Sequence, residues 1–167
     1  EELLNCSDDF LTEPENISDI IKRANEIKLK YVKQDPQDKN VRNVLNFGHT
    51  IGHAVESTFN SFPVNSMLHG EAISVGIICE LYISNVLFDL PIEIVKKVQD
   101  FLIDQIGYFG IDTDKQEKIF HNLAYDKKNK KREIIFTLLK NIGQPLIHQS
   151  VENRIIEESI EYYKTLK

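Results

Sequence analysis

Three of the chain's five histidines fall in two short pieces. His49 and His53 lie in Asn46-Phe47-Gly48-His49-Thr50-Ile51-Gly52-His53-Ala54-Val55-Glu56, and His69 lies in Leu68-His69-Gly70-Glu71. Imidazole ligates divalent metals and titrates close to neutral pH, so such a cluster suits a metal site or proton transfer. If the first piece is one helix, Asn46, His49, His53 and Glu56 share a face. On spacing alone two readings stand: core histidines satisfied by hydrogen bonds, or metal ligands. The HExxH signature of zinc proteases is absent, because Thr50 stands where its Glu would be. Gly48 and Gly52 each lower helix propensity by about 1 kcal/mol relative to Ala. They would let another backbone or a ligand come close. His69 and Glu71 open a strongly apolar segment, at a helix N-terminus where anions are favoured.

Two lysines join this set. Ile17, Ile20, Ile21, Ala24, Ile27 and Tyr31 form a helical stripe, and Lys28 lands near its middle. A lysine there either snorkels at the helix edge or meets an anion. Lys127 sits in the basic run from Asp126 to Arg132, which on composition alone reads as solvated.

The elements that must position these residues are mostly helices. Thr12-Glu13-Pro14-Glu15 has the spacing of a capping box with Pro at the first helical position. Asp35-Pro36-Gln37-Asp38-Lys39-Asn40 is a turn-rich break. Ala72 to Ile83 predicts a central helix. Pro91 heads another that Gly107 ends. Thr113 with Gln116 predicts a second capping box. Glu133 to Leu139 reads as a short strand, with Gly143 and Pro145 after it. Ser150 is expected to cap a last helix that turns Ile155, Ile156, Ser159, Ile160 and Tyr163 inward. The fold class expected is mainly α, a helical bundle with at most a small β strand pair.

Composition narrows the function. The length of 167 residues fits one domain with a real core. A net charge of -6 lacks the basic footprint of a nucleic-acid binder. The apolar run from Ala72 to Val86 is interrupted by Glu80 and falls short of the roughly 20 residues of a membrane span. Cys6 and Cys79 are far apart without CxxC spacing, and Cys79 lies in the apolar run, which favours a reducing compartment.

Arg42-x-x-Leu45-Asn46-Phe47-Gly48-His49-Thr50-Ile51-Gly52-His53-Ala54-Val55-Glu56, Leu68-His69-Gly70-Glu71-Ala72 and Tyr125-Asp126-Lys127-Lys128-Asn129 together resemble 3-dehydroquinate synthase, a sugar-phosphate cyclase. The resemblance runs from about Ile17 to the last helix. It implies residues 1–167 as the single helical C-terminal domain, with the N-terminal NAD-binding α/β domain outside this chain. The implied reaction converts 3-deoxy-D-arabino-heptulosonate 7-phosphate to 3-dehydroquinate and phosphate in the shikimate pathway. The isolated domain is expected to be inactive.

By motif, His49 and His69 match the family's two histidine metal ligands, and a third ligand, a Glu, is expected upstream of residue 1. The implied metal is zinc, with cobalt as the alternative, and NAD is bound mainly by the N-terminal domain. His53 matches a catalytic histidine near the phosphate end. Arg42 and Asn46 match substrate-binding positions, as do Lys28 and Lys127, which are also expected to be catalytic. His49 and His69 would touch substrate through the metal site. Asp38 departs from the family, many members of which have Glu there. The expected partners are a phosphorylated sugar-acid substrate, the N-terminal domain and a second copy in a homodimer, with no nucleic acid and no membrane. The expected location is the cytoplasm. Alternatives are another sugar-phosphate cyclase, such as a 2-deoxy-scyllo-inosose synthase, and a helical interaction domain without catalysis.

Overall fold

The computed structural model describes residues 13–62, 66–130 and 134–167, without the side chains of residues 125–130. Cys6, Thr12 and the side chain of Lys127 lie outside the described parts. The chain divides into two compact units, one ending at Leu45 and one running from Asn46 to Lys167.

In the first unit, Pro14 starts α1, Pro14–Gln34, with Pro tolerated because the first helical N–H has no partner within the helix. The helix buries none of its residues, and Ile17, Ile21 and Ile27 stay exposed. The sequence stripe therefore has no core to meet within the described residues, and Lys28 is exposed rather than buried. Asp35 organises the break that follows. Its carboxylate accepts the N–H groups of Asn40 at 2.7 Å and of Lys39 and Arg42 at 3.2 Å. Those bonds, Asn40's first, hold the Asp35 carboxyl below its ordinary range. A 3-10 turn, Val41–Asn46, comes next.

The second unit is built on α3, His69–Phe88, which packs against α2, α4, α6 and the first strand. It is apolar around its whole circumference and buries Ala72, Val75, Ile78, Cys79, Leu81 and Ile83. By length and composition it could cross a membrane, contrary to the shorter run read from sequence. Most of its apolar window is buried inside the molecule, which makes it a core helix here. Around it stand α2, His49–Phe59; α4, Ile92–Ile106; α5, Thr113–Lys130; and α6, Asn153–Lys164. Gly107 ends α4 at φ 107° and ψ 169°, a backbone conformation open to glycine, as its position in the sequence predicts.

The strands β1, Ile135–Asn141, and β2, Gln144–Ser150, form one antiparallel hairpin. Phe136 and Leu138 point into the core. Hydrogen bonds tie the hairpin to the helices. Thr50 Oγ1 donates to the Ile135 carbonyl at 3.0 Å, and the Leu139 N–H donates to Ser84 Oγ at 3.0 Å.

α6 turns Ile155, Ile156, Ser159, Ile160 and Tyr163 inward, as the sequence predicts. Two caps differ from expectation. Ser150 ends β2, and Glu152 is the residue at the start of α6. For α5 the cap is Asp112, one residue before Thr113. Its carboxylate accepts the Lys115 N–H at 2.9 Å and its carbonyl accepts the Gln116 N–H.

Candidate metal centre

The histidine stretch is not one helix. Gly48 sits in the left-handed region at φ 81° and separates the 3-10 turn ending at Asn46 from α2, which starts at His49. Asn46 therefore leaves the face shared by His49, His53 and Glu56. The glycines do admit a neighbour, and that neighbour is the backbone of α3. A Cβ on Gly52 would lie 3.1 Å from the Ala72 carbonyl oxygen, and one on Gly48 3.0 Å from the Ile77 nitrogen. On the facing side, a Cβ on Gly76 would meet the Gly48 carbonyl oxygen at 1.9 Å. Gly76 is the glycine with the least room, and nothing local in the sequence marks it.

The start of α2 has no side-chain cap of its own. Glu80 of α3 supplies one. Its carboxyl group is wholly buried and accepts the N–H groups of Gly48 at 2.6 Å, Thr50 at 3.2 Å and Ile51 at 3.4 Å. These are helix N–H groups that have no partner within α2. Burial pushes the Glu80 carboxyl up to about 8, and the three N–H donors pull it only partway back. A lone Glu in an apolar run was the available signal, since a buried carboxyl group must find donors.

This crossing presents three histidines at one place. His49 is the first residue of α2, His53 lies one turn on, and His69 is the first residue of α3. Their ring centroids are 5.3 Å (His49–His53), 5.6 Å (His49–His69) and 5.7 Å (His53–His69) apart. One ring nitrogen from each lies within 4.8 Å of the others. His49 is half-buried, and His53 and His69 are exposed. His49 Nδ1 is 3.1 Å from the Phe47 carbonyl, which can only accept, so Nδ1 carries the hydrogen and Nε2 the lone pair. His69 Nδ1 is 3.0 Å from Glu56 Oε2. Two imidazoles whose Nδ1 atoms are engaged this way can present Nε2 lone pairs, a donor set that suits a divalent transition metal. At the start of α3, Glu71 reaches back to accept the Leu68 N–H at 2.7 Å, so it caps the helix rather than joining the histidines.

The other sequence candidates are placed separately. Asn46 is exposed at the end of the 3-10 turn. Lys28 and Arg42 belong to the first unit, Lys28 exposed and Arg42 half-buried. Arg42 lies 3.8 Å from Asp38. Lys127 falls within α5.

Solved structures share this arrangement of elements. The 2-epi-5-epi-valiolone synthase ValA from Streptomyces hygroscopicus subsp. jinggangensis 5008 superposes with a TM-score of 0.73 at 19% identity, over 93% of this chain and 42% of its own. A 2-deoxy-scyllo-inosose synthase complexed with carbaglucose-6-phosphate, NAD+ and Co2+ gives a TM-score of 0.73 at 27% identity, over 90% of this chain and 42% of its own. The class is thus a dehydroquinate synthase-like helical domain of the sugar-phosphate cyclases. The family model described as 3-dehydroquinate synthase C-terminal matches residues 1–129, and the chain belongs to that family. Among curated relatives, the 3-dehydroquinate synthase of Parabacteroides distasonis is 35% identical over 148 residues, covering 89% of this chain and 42% of the relative. That of Dehalococcoides mccartyi is 39% identical over 142 residues, covering 83% and 37%. The chain spans about two fifths of the length of these relatives.

Proposed function

We propose that this chain is the metal- and substrate-binding part of a 3-dehydroquinate synthase, acting on 3-deoxy-D-arabino-heptulosonate 7-phosphate. The observation that carries the reading is the convergence of His49, His53 and His69 at the α2–α3 crossing, within a chain of this family. His49 and His69 would hold a divalent cation, zinc or cobalt, through Nε2. The cation would supply Lewis acidity toward a substrate hydroxyl. NAD, held mainly outside this chain, would supply reversible hydride transfer.

The remaining roles belong to the chain's own side chains. His53 would hold and move a proton near the phosphate-bearing end of the substrate. Lys28, Arg42 and Lys127 would bind its carboxylate and phosphate through charge-assisted hydrogen bonds, and Asn46 would bind a hydroxyl. Lys28's exposure in α1 leaves its ammonium accessible to such an anion. The partner requirements follow from this reading: an NAD-binding domain must face the site, and a homodimer is the expected assembly.

A second reading keeps the site and changes the substrate. The 27% identity to a 2-deoxy-scyllo-inosose synthase favours it over any reading without catalysis. One assay separates the two. The whole enzyme carrying this chain is given NAD and zinc, and phosphate release is followed from the heptulosonate 7-phosphate and from glucose 6-phosphate. Release from the first substrate alone is the expected result. Release from glucose 6-phosphate alone would replace the proposed function with the second reading.

A further inference from the structure

We infer that Glu56 is a positioning residue of this centre: it fixes the tautomer and the ring orientation of His69 and so aims Nε2 at the metal. The inference rests on the proposed metal site and adds a residue to it.

Glu56 lies in the second turn of α2, and His69 is the first residue of α3. No covalent or helical constraint brings these two side chains together. They meet because α2 and α3 pack closely across Gly48, Gly52 and Gly76. Glu56 Oε2 then stands 3.0 Å from His69 Nδ1. An ionised carboxylate only accepts hydrogen bonds, so in the neutral ring Nδ1 carries the hydrogen and Nε2 the lone pair. A carboxylate at the far nitrogen fixes the ring's orientation and raises its basicity as a ligand.

Comparison with His49 shows why His69 needs this help. His49 is half-buried, follows the left-handed Gly48, and donates Nδ1–H to the carbonyl of Phe47 two residues earlier. The backbone alone sets its tautomer. His69 has an exposed side chain, 55% accessible, and sits on the first turn of its helix. In water such a ring rotates freely and exchanges tautomers. Glu56, only 28% accessible, is the more anchored partner. Its stem is held by α2, and its carboxylate reaches the ring across the helix crossing. Glu71, two residues from His69, is committed to the Leu68 N–H and does not compete for this role.

The test uses the whole enzyme carrying this chain, with two readouts. Nitrogen-15 NMR of the imidazoles, with no metal added and at a pH where His69 is neutral, reads the tautomer. Titration with zinc chloride against a chromophoric chelator reads affinity. The variants are Glu56→Ala, Glu56→Gln and His69→Ala. The expected result is a His69 Nδ1–H signature in the parent and in Glu56→Gln, whose amide oxygen still accepts. In Glu56→Ala that signature is lost, and zinc affinity falls about 10- to 100-fold. If His69 keeps its Nδ1–H signature in Glu56→Ala, the inference is overturned. It is also overturned if His69→Ala loses zinc while Glu56→Ala binds as tightly as the parent. If His69→Ala itself binds zinc normally, the metal reading falls and takes the inference with it.

Discussion

Two glutamates work at the α2–α3 pair, and they do opposite things. Glu80 is wholly buried and spends its oxygens on the backbone of α2, at Gly48, Thr50 and Ile51. Glu56 lies at the rim and gives an oxygen to a side chain, His69. Chemistry is the same in both, and burial separates the roles. A buried carboxyl group must satisfy itself with fixed donors, and in doing so it sets where α2 begins. A rim carboxylate has water as an alternative, so its bond to His69 adds little stability and can serve the site instead. The consequence is an interior that holds the first residue of α2 in place and an edge that orients a histidine ring.

Both glutamates depend on the close packing of α2 and α3 at Gly76. Gly76→Ala would place a Cβ 1.9 Å from the Gly48 carbonyl oxygen and 2.7 Å from the Gly52 nitrogen. The obstacle is backbone, which cannot rotate away. Loss of about 3 kcal/mol or more, or failure to fold, is expected in urea denaturation.

Glu80→Ala comes next. It leaves buried N–H groups without acceptors and opens a cavity, at a cost of roughly 3 kcal/mol. Glu80 also predicts a pH dependence. Its folded value, about 8, is above its ordinary 4.5, so the folded state keeps a proton that the unfolded state gives up. Its contribution is fully present below about pH 4.5 and declines as pH rises toward 8. Glu80→Gln should flatten that part of the stability–pH profile, which chemical denaturation at a series of pH values would reveal.

Glu56→Ala stands last. A change in stability of about 0–1 kcal/mol is expected, measured by the same denaturation, because the pair is partly exposed. A loss as large as that of Glu80→Ala would erase the distinction between the two carboxylates.

The helices and the histidines were legible in the sequence because both are written locally. The inward face of α6 follows from periodicity, and the hairpin from a short β-like run with Gly143 and Pro145 behind it. The three histidines were grouped by motif, and the fold brings them together. What escaped depends on partners distant in sequence. Glu80 acts 32 residues away on Gly48, and Gly76 matters only because another helix crosses there. Gly48 also broke the expected single helix, so Asn46 and His49 sit on different elements. In α1 the apolar stripe marks a helix, but the pattern alone does not show what covers it. The structure leaves that stripe exposed in its own unit. The cap of α5 shifted by one residue because Asp112 and Thr113 are both good caps, and only the bond to Lys115 decides between them.

In the proposed function His49 ligates the metal, while His53, one turn on, serves substrate chemistry. Zinc affinity of His49→Ala and His53→Ala, measured side by side by chelator competition, tests it most directly. The expected result is a loss of more than about 100-fold for His49→Ala and little change for His53→Ala. Equal losses in both, or normal binding by His49→Ala, would contradict it.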